Sequence, residues 1–131
     1  MSPGQAALYA QAVFRGEPLP PDWPADFAIV TACNPWGRVV SAEENRDADH
    51  ALWTGLSAAG FATHRITGGS ADPSGHQEPG WAVALDPGQA LAWGRRHRQD
   101  AVFLVRAGRL SLLVCADGAE VDLGRPFCLV G

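Results

Sequence analysis

Phe27-Ala28-Ile29-Val30-Thr31-Ala32-Cys33 is a nearly continuous apolar run closed by turn residues. Such a run suits a strand covered on both faces, at the centre of a sheet. Asn34-Pro35-Trp36-Gly37 breaks it. Ser41-Ala42-Glu43-Glu44 then opens a helix with the spacing of a capping box, in which the first and last residues satisfy each other's backbone N–H. Asn45, Ala48, Leu52, Leu56 and Ala59 follow at helical spacing, and Gly60 supplies the stop. Asn45 holds the first position of that stripe, so it points toward the edge of the core.

Downstream, Phe61 to Ile66 reads as a second strand, Thr67 to Gly80 as a long polar loop, and Trp81 to Leu85 as a third strand. Asp86-Pro87-Gly88-Gln89 opens another helix, with an acidic cap, proline in the first turn and Gln three residues after the cap. That helix ends at Asp100. Ala101 to Val105 and Leu110 to Cys115 form two strands around an Ala107-Gly108 turn, and Ala119 to Leu123 a short edge strand. Upstream, Gln5 to Phe14 reads as a short helix ending near Gly16, followed by a connector bearing Pro18, Pro20, Pro21 and Pro24.

Crossovers are nearly always right-handed, so the first two strands are expected to be parallel with the helix on one face. The order predicts an α+β fold, a ferredoxin-like β-α-β-β-α-β sheet with an added C-terminal hairpin strand and an N-terminal helix. Residues 1–131 are read as one domain, with the N-terminal helix and Pro-rich connector over 1–24, the core over 25–117 and a tail over 118–131.

Composition bounds the function. A net charge of −4 gives no clustered basic face for nucleic acid. All 10 basic residues are Arg, which a GC-rich codon bias explains. Cys33, Cys115 and Cys128 are odd in number and lack CxxC spacing, which argues for a reducing compartment. No apolar run approaches the roughly 18 residues that span a membrane, and no signal peptide is evident. The chain is therefore read as cytoplasmic.

Several pieces together carry a resemblance: Asn34-Pro35, Ser41-x-x-Glu44-Asn45, Gly75-x-x-Glu78-Pro79, and Ala90-x-x-x-Gly94-Arg95 leading to Gln99-Asp100-Ala101. The chain is similar, over roughly Phe27 to Leu113, to a bacterial family known as domain of unknown function 3293 (DUF3293). Cys33 stands where the family pattern leads us to expect a large residue such as Trp, and His97 where it leads us to expect an aromatic. The resemblance implies a fold boundary and a set of residues; it supplies no chemistry.

The predicted topology gathers Asn34, Trp36, Ser41, Glu44, Asn45, His76, Glu78 and Gln99 at one end of the sheet. One reading is a pocket for a small polar ligand: Asn and Gln give paired donors and acceptors, Glu78 an acid, base or cation partner, and Trp36 an exposed aromatic surface. The other is a structural network of turns and caps, in a protein whose sheet edge or Arg95-Arg96-Arg98 helix docks another chain. Catalysis by Glu78 with His76, or by Cys33 beside His76 or His97, lacks a properly spaced acid–base pair, so no catalytic residue is assigned. His64, His76, His97, Cys33 and Cys115 show no metal-ligand spacing, and Gly68-Gly69-Ser70 does not open a helix as a P-loop does. No metal or cofactor is expected. The partners implied are a small polar ligand or a protein, with neither nucleic acid nor membrane; the oligomeric state is left open.

Overall fold

The computed structural model describes residues 3–130. Its elements in chain order are α1 (Pro3–Ala10), β1 (Val13–Arg15), β2 (Phe27–Thr31), α2 (Ala42–Ala58), β3 (Thr63–Gly69), β4 (Gln77–Val83), α3 (Pro87–Arg96), β5 (Ala101–Arg106), β6 (Arg109–Val114), β7 (Glu120–Pro126) and β8 (Leu129–Val130). The strands form one 8-stranded sheet in the order β7-β6-β5-β2-β4-β3-β1-β8. Neighbours run antiparallel except β1 and β8, which are parallel.

The ferredoxin-like expectation is therefore corrected. β2 and β3 are each antiparallel to β4, so they share a direction with β4 between them. The sheet does not stop at those strands, however. β6 and β7 extend it beyond β5, β1 and β8 extend it beyond β3, and the whole curls into a half-barrel. The chain itself demonstrates the curl. β7 and β8 lie on opposite edges, yet Pro126 and Leu129 are three residues apart, a reach of at most about 11 Å. Arg125 on β7 donates to the carbonyl of Ala12 beside β1, tying the edges together.

Two cores result. On the outer face, Leu52 and Leu56 of α2 and Ala90 of α3 pack with Val30, Val83, Val102 and Leu104. Gly94 lets α3 lie close, since a Cβ there would stand 2.7 Å from Val102 Cγ1. On the inner face, Phe14, Phe27, Ile29, Ile66 and Val105 fill the curl, with Phe103 and Phe127 against them. The Phe14 and Phe103 rings meet edge-on at 4.9 Å, and Phe127 packs on Phe27 at 5.5 Å, geometries that favour aromatic pairs beyond simple burial.

This inner core explains two further corrections. Val13 and Phe14, expected to end the first helix, instead pair with β3, because Phe14 is only 1% exposed in the curl and tertiary packing overrides local propensity. The expected loop Thr67 to Gly80 is mostly hairpin: β3 and β4 pair from Thr63↔Val83 out to Gly69↔Gln77. Arg15 ties its tip, donating to the carbonyls of Ser70 and Ala71 and to Gln77 Oε1.

Candidate functional site

Strand alternation decides which polar residues meet. Thr31 shares the inner face with Ile29, and Glu78 shares it with Ala82, because side chains two and four residues apart point the same way. Thr31 sits opposite Gly80 in the ladder. A Cβ on Gly80 would stand 2.7 Å from Thr31 Cγ2, so glycine is what lets the threonine lie flat there.

Above that point, Gln99 closes the inner face. It is 6% exposed. Its amide donates to the carbonyls of Cys33 and His97, both at 3.1 Å, and its oxygen accepts from Thr31 Oγ1 at 2.8 Å. Thr31 Oγ1 also lies 3.5 Å from Glu78 Oε1. Glu78 Oε2 lies 2.6 Å from His76 Nε2, a pair partly open to solvent.

Gln99, Glu78 and His76 border a cavity of about 220 Å³ at the mouth of the half-barrel. Tyr9, Cys33 and Asn34 form one side of it, Gly37 and Val39 another, and His76, Glu78, Gln99 and Asp100 the rest. Tyr9, from α1, lies over Phe103 at 5.7 Å. Burial pushes its hydroxyl up to about 12, with Asp100 and then Glu78 adding to the effect. The Cys33 thiol is likewise pushed up to about 12, first by burial and then by Glu78 and Asp49. Both groups are therefore neutral hydrogen-bonding partners at ordinary pH, and Cys33 is a poor nucleophile.

The eight residues singled out from sequence divide sharply. Asn34, His76, Glu78 and Gln99 line the cavity. Asn45 does not; its Oδ1 accepts from the Asn34 backbone at 2.8 Å, and its amide donates to Asn34 Oδ1 at 3.0 Å. Asn34 Oδ1 also accepts from Val40 N. Ser41 caps α2 by accepting from Glu44 N at 3.0 Å, and Glu44 Oε1 meets the same hydroxyl. Trp36 is 51% exposed on the adjoining turn, outside the cavity lining. Tyr9 and Asp100, which line the cavity, were missed, as was Thr31, which bonds Gln99 and lies beside Glu78. For Thr31 and Glu78 the signal was the two-residue period of their strands; for Tyr9 the sequence held none, because its place depends on the curl.

The turn beside the cavity is strained. Asn34 (φ 47°), Trp36 (φ 53°) and Arg98 (φ 58°) hold left-handed backbone, which Asn tolerates and the other two adopt only when surrounding contacts compel it. Trp36 N donates to the Arg98 carbonyl at 2.6 Å, joining the two strained segments.

A second depression, about 270 Å³ near Asp26, Asp86 and Arg106, lies at the opposite end of the sheet. Its polar groups are engaged: Asp86 caps α3 in a complete capping box, Asp26 accepts from Ala107 N, and Arg106 pairs with Glu120 at 2.7 Å. Among the described residues, no three His, Cys, Asp or Glu side chains are grouped so as to hold a metal ion. None of their helices is long and apolar enough to cross a membrane.

The family described as protein of unknown function (DUF3293) matches residues 30–102, more than half of the chain. The chain belongs to that family. No curated protein and no solved structure matches it. The DUF3293 match runs from β2 through the start of β5, and so contains every cavity residue except Tyr9.

Proposed function

We propose that this protein is a noncatalytic binding module that takes a small polar ligand in the mouth of its half-barrel. The observation that carries the reading is the cavity itself: polar groups from α1, the turn after β2, the β3–β4 hairpin and the α3–β5 junction converge on one space. Barrel mouths are a recurrent place for such sites. The volume of about 220 Å³ falls below the roughly 300–1,000 Å³ of pockets that hold drug-sized molecules, which favours a small metabolite. The strained Trp36 and Arg98 backbones beside it support the same reading, since such strain collects at ligand clamps.

Two features favour binding over catalysis: burial leaves the Cys33 thiol a poor nucleophile, and the Gln99 amide is engaged on backbone carbonyls. A second reading, docking of a partner segment at the same mouth, is favoured by the exposure of Trp36 at 51% and Val39 at 89%. The unpaired state of Cys33, Cys115 and Cys128 supports a reducing, cytoplasmic setting.

A thermal-shift screen against amino acids, amines, nucleotides and carboxylic acids tests the binding reading. A ligand present at 100 times its Kd stabilises the native state by about 2.7 kcal/mol. Asn45→Ala should lower the melting temperature of the free protein yet keep the ligand-induced rise, since Asn45 braces the turn from outside the cavity. No rise with any compound would sink the ligand reading in favour of a partner protein.

A further inference from the structure

We propose that the ligand of the mouth cavity is a small organic cation, with an ammonium or guanidinium head between Glu78 and Asp100 and a short apolar body against Val39 and Tyr9. This rests on the binding reading above and adds the chemical class.

Charge is the first ground. Glu78 and Asp100 both border the cavity, no Arg does, and the chain has no Lys. His76 is the one basic side chain at the rim, and its Nε2 is taken by Glu78 at 2.6 Å. With His76 neutral the lining carries two negative charges, and with His76 protonated it still carries one. Taking an anion into that space would set like charges together. A cation instead gains charge-assisted hydrogen bonds, roughly twice as strong as neutral ones.

Shape is the second. Gly37 faces Asp100: a Cβ built there would stand 3.2 Å from Asp100 Oδ2, so the glycine leaves room in front of that carboxylate. The walls supply what an organic cation needs and a bare metal ion does not. Val39 and the Tyr9 ring are apolar surface, and Cys33 is a neutral thiol. The Tyr9 hydroxyl, held protonated by burial and by the field of both carboxylates, adds a hydrogen-bonding group beside the head. A metal ion, by contrast, calls for grouped ligands, and the described residues do not provide three.

Three probes of equal chain length separate charge from shape: butylammonium, butyrate and butan-1-ol, each titrated into the full-length 15N-labelled protein. Butylammonium should move the amide resonances of Cys33, Gly37, Glu78 and Asp100 saturably, in the millimolar range, and butyrate should not. Glu78→Gln and Asp100→Asn should each weaken butylammonium by at least about tenfold, or about 1.4 kcal/mol. Should either variant lose its dispersed spectrum, Tyr9→Phe takes its place, with a several-fold loss expected. Butyrate binding at the same residues as tightly as butylammonium would overturn the cation class and leave the cavity a binding site. Undiminished butylammonium binding in the variants would overturn the placement between the carboxylates. If none of the three probes moves the mouth residues saturably, the binding reading falls and the cation class with it.

Discussion

Trp36 donates its backbone N–H to the carbonyl of Arg98 at 2.6 Å, and both residues hold positive φ, 53° and 58°. Arg98 sits where α3 ends in a Schellman arrangement: Gln99 N bonds Gly94 O at 2.9 Å, and Arg98 N bonds Arg95 O at 3.1 Å. Glycine is the usual occupant of that left-handed position. The arginine thus keeps a strained backbone that orients its carbonyl toward the turn and sets Gln99 and Asp100 at the cavity.

Arg98→Gly should stabilise the protein. The left-handed conformation costs a non-glycine residue about 1–2 kcal/mol, against roughly 0.5–1 kcal/mol of added chain entropy for glycine in the unfolded state. A gain of about 0.5–1 kcal/mol in urea denaturation is expected, with the slope unchanged. A loss of stability would mean that the Arg98 side chain makes contacts worth more than the strain.

Gln99→Leu should destabilise strongly. It strips the Cys33 and His97 carbonyls of a donor and leaves Thr31 Oγ1 only the long 3.5 Å contact to Glu78. Leaving a buried polar group unpaired costs about 1–3 kcal/mol, so a total near 2–4 kcal/mol is expected if water reaches part of the gap. Equilibrium denaturation measures it; an effect under about 0.5 kcal/mol, the scale of an ordinary surface change, would contradict the buried bonding.

Stability should fall as the solution is acidified, in part through His97. Burial, and then the Arg96 charge, lowers its affinity for a proton, and its ring stacks on Trp93 at 5.9 Å with an interplanar angle of 7°. The unfolded histidine titrates near 6.5. As the pH drops from about 6.5 toward the lower folded value, the unfolded chain binds the extra proton first, so stability is lost through that window and retained above it. His97→Phe keeps an aromatic ring against Trp93 and should flatten the pH dependence of the melting temperature between pH 5 and 7.5. An unchanged slope would assign the effect to other groups.

The three thiols should separate by reactivity. Cys128 is exposed, whereas Cys33 and Cys115 are buried. Burial raises both buried thiols; nearby Arg95 partly offsets this at Cys115. Iodoacetamide at pH 8 should give a single rapid modification by intact mass, mapped to Cys128, and the other two only after unfolding. Rapid labelling of Cys33 would show that its thiolate is accessible at the cavity.

The sequence by itself determined the local pieces. Ser41 and Asp86 announce their helices because a side-chain oxygen bonded to a backbone N–H three residues on is a local interaction. Phe27 to Thr31 announces a buried strand because both faces are apolar. The DUF3293 relationship was legible in motifs spread along the core. Half of the candidate site followed: Asn34, His76, Glu78 and Gln99 border the cavity, while Ser41, Glu44 and Asn45 turn out to brace a helix and a turn. Only the tertiary structure decided the rest. Short strands such as β1 and β8 are held by partners far away in sequence, so their own residues carry little strand signal. The curl that brings Arg125 to Ala12, and Tyr9 over Phe103, comes from packing Phe14, Phe27, Phe103 and Phe127 into one inner core. That packing is a property of the assembled sheet, and the cavity at its mouth exists only once the sheet has curled.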